Sequence, residues 1–135
     1  MKQIDAVIER AKDGSYSVYC KDEIFSGVGN DIDSAKADML SQMSFYKETA
    51  LKEGFRYPPF LDEEYTINYK VDAVSLMKYY VYSGVFTLAG LEKITGVNQK
   101  QLWSYLNGTK PRKAQQDRIA DGLRSICKDL SMFFA

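Results

Sequence analysis

The sequence predicts two units in series: an α+β unit over residues 1–70, built as a small antiparallel sheet with one helix, and an all-α unit over residues 71–135. Three observations lead there. Apolar residues alternate with polar ones in short runs of the first unit, the period of strands, and recur every three or four residues through the second, the period of helices. Glycine- and proline-bearing turn signals separate these runs. Charge segregates in the same way: residues 1–70 hold 9 Lys and Arg against 13 Asp and Glu, and residues 71–135 hold 9 against 5, within a net charge of zero.

In the first unit, Ile4, Ala6 and Ile8 face one way and Asp5 and Glu9 the other, a strand with one wet face. Asp13-Gly14 suits a tight hairpin turn, and Tyr16, Val18 and Cys20 form the returning strand. Ile24 to Val28 is a third short run, bounded by Gly27 and Gly29. Asp31 stands as a helix N-cap, because its carboxylate can accept from the free amides of a first turn. Met39, Leu40, Met43, Tyr46, Ala50 and Leu51 then carry a helix over about residues 32–53. Gly54 closes it, and Tyr57-Pro58-Pro59 forces extended chain. Tyr65, Ile67, Tyr69 and Val71 alternate as a fourth strand. The order β-β-β-α-β puts the helix on one face of the sheet. The other face either stays polar, with tyrosines lying flat on it, or meets a partner; Tyr16, Tyr19, Phe25, Tyr65 and Tyr69 favour the partner.

Beyond Val71 the pattern is helical. Ala73, Val74, Leu76, Met77, Tyr80 and Val81 form one stripe, and Leu88, Leu91 and Ile94 mark a short helix ended by Gly96. Asn98 caps the next helix, which stops at Asn107-Gly108. After the loop Thr109 to Lys113, a long amphipathic helix carries Ile119, Ala120, Leu123, Ile126, Cys127 and Leu130 on its inner stripe.

Composition narrows the chemistry. With 45% apolar residues the chain has enough to build a core, and no apolar run reaches the roughly 18 residues a membrane span needs. No secretory leader is recognisable at Met1, so the expectation is a cytoplasmic protein without membrane contact. There is no histidine, which removes the commonest general base and the commonest zinc ligand. Cys20 and Cys127 form no metal-type pair and read as two reduced, buried thiols. The acidic pairs Asp22-Glu23 and Asp62-Glu63-Glu64 fall in loops and read as solvated charge. No cofactor and no metal are expected.

The stretch "GVNQKQLWSYLNGTKPRK" (Gly96 to Lys113) carries the functional signal. Gly96 can end a helix in a left-handed conformation. Val97 plugs the angle, and Leu102, Tyr105 and Leu106 turn inward. Gln99, Lys100, Trp103 and Ser104 therefore face out. In a recognition helix the first turn reaches base edges, so Asn98, Gln99, Lys100 and, one turn on, Ser104 are the candidate base readers. Glutamine can pair with adenine and lysine can donate to guanine. Lys110, Arg112 and Lys113 follow in the loop, placed for phosphates. The same spacing also suits a helical hairpin with a solvated face.

The stretch Leu91 to Lys113 resembles the helix-turn-helix of phage-repressor (Cro/C1, Xre) type domains, matching at Gly96, Val97, Asn98, Gln99, Leu102 and Gly108. Glu92 departs from that pattern, which usually has a small residue there; its carboxylate has to lean outward or find a partner. Trp103 is an unusual outward residue, with the neighbouring helix or a second subunit as alternative cover. The first unit resembles the HicB antitoxins: a hairpin around an Asp-Gly turn, a strand, a helix entry "VGNDIDSAKADML" (Val28 to Leu40) with Asp31 at the cap and Ala35 inward, the helix, and a last strand. That resemblance implies a truncated ribonuclease-H-like unit without a nuclease's acidic site, followed by a DNA-binding domain.

What the resemblance implies is a transcriptional repressor that is also an antitoxin. The acidic first half would neutralise a small basic ribonuclease toxin of HicA type, and the basic second half would bind double-stranded operator DNA, as a homodimer or higher oligomer. The alternative is a stand-alone helix-turn-helix regulator whose first domain only oligomerises or senses a ligand. A nuclease is the third reading; it would need Asp5, Glu9, Asp38 and Glu48 to converge on two metal ions. The apolar tail Met132, Phe133 and Phe134 needs cover, from the first domain or from a second copy.

Overall fold

The computed structural model describes all 135 residues. The protein is α+β, with four strands and five α helices: β1 (Lys2–Arg10), β2 (Tyr16–Cys20), β3 (Ser26–Gly29), α1 (Ile32–Glu53), β4 (Tyr65–Val71), α2 (Ala73–Tyr82), α3 (Leu88–Thr95), α4 (Gln99–Leu106) and α5 (Lys113–Phe134), with one 3-10 turn at Pro59–Asp62. It divides into two compact units, Met1–Asp72 and Ala73–Ala135.

The sheet of the first unit runs β3-β2-β1-β4. The expectation of an antiparallel sheet is corrected at one edge. β1 pairs antiparallel with β2, and β2 with β3, but β1 and β4 are parallel, with Ala6 opposite Tyr69. The reason lies in α1. β3 runs in the direction of β1, and the 22-residue helix carries the chain back so that β4 enters the sheet in that same direction. A parallel neighbour needs a crossover of this length.

Local signals explain α1. The Asp31 carboxylate accepts from the Ser34 N–H (2.7 Å), and the Ser34 hydroxyl accepts from the Asp31 N–H (3.3 Å), a reciprocal cap. Hydrogen bonding from Ser34, its backbone N–H foremost and its side chain second, holds the Asp31 carboxyl below the usual carboxylate range. Gly54, at φ 77°, ends the helix in the left-handed region. α1 lays Ala35, Met39 and Met43 over Ile4, Ala6, Ile8, Val18 and Cys20, all buried. β3 lies so close to α1 that a Cβ on Gly27 would run into the Met39 backbone. Edge-to-face rings close one end of this core: Phe25 with Tyr46, Phe25 with Phe60, and Phe60 with Tyr65. Asp62 is taken up locally, bridged to Lys47 at 2.9 Å and accepting from the Tyr57 hydroxyl.

The aromatic residues expected to draw a partner to the open sheet face do not lie on it, Tyr19 excepted. Phe25 is buried in the core, and Tyr16, Tyr65 and Tyr69 pack against it on the α1 side; of the five residues only Tyr19 has the parity of the open face. That face is polar, with Asn68 donating to Asp5 (3.3 Å) and Tyr19 to Glu9 (3.2 Å). The carboxylates considered for two-metal chemistry also fail to converge. Asp5 and Glu9 lie on the open face, whereas Asp38 lies on α1 across the sheet, where it accepts from the Val28 N–H of β3 (2.9 Å).

The second unit closes around Met77, Leu91, Val97, Leu102, Tyr105 and Ile119. α5 crosses α3 at Gly122, where a Cβ would stand 2.5 Å from the Ile94 carbonyl oxygen. The inner stripe expected along α5 is only half buried. Ile119 is fully enclosed and Leu123 packs against the core, but Cys127 and Leu130 are exposed, as are Met132, Phe133 and Phe134. Length is the reason: 22 residues reach about 33 Å, whereas α2 and α3, which α5 packs on, reach about 15 and 12 Å.

Cys127 therefore corrects the expectation of two buried thiols; both cysteines are free, but only Cys20 is buried. Burial pushes the Cys20 thiol up, with Glu23 adding to the effect, and it lies 3.8 Å from the Met39 sulfur. Iodoacetamide should accordingly label Cys127 and spare Cys20 in the native chain, and label both in denaturant. Peptide mass mapping checks this, and rapid native labelling of Cys20 would contradict the core described.

Candidate nucleic-acid interface

The site is built on the joint between α3 and α4. Thr87 starts α3 by accepting from the Gly90 N–H (3.0 Å). Gly96 ends it at φ 74° and ψ 6°, a left-handed turn open to glycine at little cost. Inside the turn the Thr95 hydroxyl donates to the Leu91 carbonyl (2.7 Å) and accepts from the Val97 N–H (3.1 Å), so a buried polar side chain is satisfied where the chain reverses. Val97 is enclosed behind it.

Two acceptors then start α4. The Asn98 side-chain oxygen accepts from the Gln101 N–H (2.9 Å), and Glu92 reaches across the turn to accept from the Gln99 N–H (3.0 Å). A carboxylate at a helix N-terminus also meets the positive end of the helix dipole. Glu92 thus has its partner: it ties the end of α3 to the start of α4. Replacing Glu92 with alanine should cost about 0.5–1 kcal/mol of stability in the second unit. A urea titration followed by circular dichroism reads the loss, and unchanged stability would show the contact to be idle.

The far end of α4 is anchored as well. The Asn107 side chain donates to the Trp103 carbonyl (2.8 Å), the Tyr82 hydroxyl to the Leu106 carbonyl (3.0 Å), and the Thr109 N–H to the Ser104 carbonyl (3.0 Å). Gln115, buried at the start of α5, donates to the Gln101 side chain at 3.2 Å and joins the two helices. With Leu102 and Tyr105 locked inward, the rotation of α4 about its axis is fixed.

Gln99, Lys100 and Trp103 are exposed on the outer face. Ser104 is half buried at the border of that face, and Asn98 is exposed with its side-chain oxygen occupied by its capping bond. Beyond α4, Pro111 is buried and its carbonyl accepts from the Gln116 side chain (2.8 Å), which pins the loop. Lys110 and Arg112 project from that loop into solvent, and Lys113, expected in the loop, is instead the first residue of α5; Lys113 alone has an ionic neighbour, Asp117 at 3.4 Å, in a pair too exposed to hold it firmly. The anchored helix thus presents exposed Gln99 and Lys100 beside an exposed tryptophan, next to three exposed cations.

Thr95, Gln101 and Gln115 carry this geometry without having stood out in the sequence. The Thr95 position inside a glycine turn is a usable signal. The Gln101–Gln115 pair spans fourteen positions and leaves none. Comparison of the chain with known protein families, curated proteins and solved structures finds no match.

Proposed function

We propose that the chain is a helix-turn-helix repressor that reads double-stranded DNA through α4 and acts as an antitoxin of HicB type, its first unit, a truncated ribonuclease-H-like domain, binding a small basic ribonuclease toxin. The observation that carries the DNA-reading part is the joint anchoring of α4. Gly96, Glu92, Asn98, Leu102 and Gln115 fix its rotation so that Gln99 and Lys100 stand on one exposed face. A helix face held in this way suits base edges in a major groove. Lys110, Arg112 and Lys113 suit the flanking phosphates, and residues 73–135 carry 9 Lys and Arg against 4 Asp and Glu. Such domains commonly act in pairs across two half-sites, which fits a homodimer.

The protein-binding half of the proposal rests on the resemblance and on one surface. Exposed Ile24, Val28 and Phe45 rim a groove of about 420 Å³ between β3 and α1, with Asp38 in its lining. β3 is an edge strand, and the unit carries an acidic excess that suits a basic partner. A specific observation favours the alternative, a stand-alone regulator: the open sheet face is polar and offers no broad apolar patch.

Co-expression with the product of the adjacent reading frame, followed by affinity capture on this chain, separates the two. Capture of a short basic protein whose ribonuclease activity the chain suppresses supports the antitoxin. A chain that retains duplex DNA but captures no such protein is the stand-alone regulator.

A further inference from the structure

The chain contains a single tryptophan, and neither core uses it. Trp103 is 59% exposed on α4, a large apolar side chain on an otherwise polar surface. Its position is set by its neighbours: Leu102 is fully buried, Tyr105 nearly so, and Asn107 holds the Trp103 carbonyl at 2.8 Å. At 3.6 residues per turn, Trp103 stands about 40° around the helix from Gln99 and about 60° from Lys100, and so lies between them. A surface laid along this face meets Gln99 and Lys100 in the first turn and the indole one turn, about 5 Å, further along the helix.

Resting on the DNA-reading assignment, we propose that Trp103 is itself a specificity residue, and that its indole covers the 5-methyl group of a thymine in the major groove. Charge selects this occupant over a protein surface, because Lys100 shares the face and Lys110, Arg112 and Lys113 follow in the next loop and at the start of α5. Chemistry selects the group: the thymine methyl is the one apolar feature that a base pair presents in the major groove. Gln99 and Lys100 donate to base edges on either side of it. The read site is a short segment in which a thymine lies between hydrogen-bonded bases.

The test uses the full chain and a duplex enriched by it from a random 20-base-pair pool. Each thymine is replaced in turn by uracil, which removes only the methyl. One replacement should weaken wild-type binding about 4-fold, the worth of one buried methyl-sized group, and leave Trp103→Ala binding unchanged. Acrylamide quenching of the indole should fall in the complex. If every uracil duplex binds like its parent, or if the indole is as open to acrylamide in the complex as in the free chain, the thymine role is wrong while DNA reading stands. If protection grows with protein concentration in the absence of DNA, the face belongs to a second copy and the inference is overturned. If no duplex is retained, the DNA-reading assignment fails and takes this inference with it.

Discussion

Replacing Leu102 with alanine should destabilise the second unit by about 2–5 kcal/mol and leave the first unit folded. Leu102 is fully buried among Met77, Leu91, Val97, Tyr105 and Ile119, and it is the side chain that holds α4 down. Alanine leaves a void that so small a core closes only in part. The first unit has its own core, which shares no residue with this one. Trp103, the only tryptophan, reports unfolding of the second unit selectively. Its fluorescence transition in urea should move down by on the order of 1–3 M, while the β-sheet signal in circular dichroism keeps its midpoint. Joint movement of both transitions would contradict independent cores.

Replacing Lys110, Arg112 and Lys113 together with alanine should weaken binding to every duplex, whatever its sequence. Each of these side chains is exposed and none is buried in an ion pair. Cations so placed act by releasing counterions from phosphates, which carries no sequence information. The slope of log affinity against log salt should become shallower by about 3 if each contributes one phosphate contact. Stability should hardly change, since surface charges of this kind contribute little. A variant with unchanged salt dependence would remove the loop from the interface.

The parts of the fold legible in the sequence are those decided within a few residues. Asp31, Gly54, Gly96 and Asn98 each start or stop a helix through bonds spanning at most four positions, so local chemistry names them. The alternation of Ile4, Ala6 and Ile8 likewise names the buried face of β1. Long-range pairings left no such trace. β1 and β4 are parallel because of where α1 delivers the chain, which no residue of either strand encodes. Periodicity named the apolar side of α5 but not what lies opposite it, so Cys127 and Leu130 were expected inside and stand outside. In the candidate site, exposed Gln99, Lys100 and Trp103 were legible from spacing, whereas Ser104, expected outward, is half buried. The role of Glu92 was not, because the seven positions to Gln99 close only when Gly96 turns.

The central claim is that the outer face of α4 reads base sequence, and selection from a random pool of duplex DNA tests it most directly. The wild-type chain should enrich one motif. The double variant Gln99→Ala, Lys100→Ala should still bind duplex DNA, with a similar salt dependence, but lose that motif, at about 1–3 kcal/mol for each base contact removed. Failure of the wild type to enrich any motif, or enrichment of the same motif by the double variant, would contradict the claim.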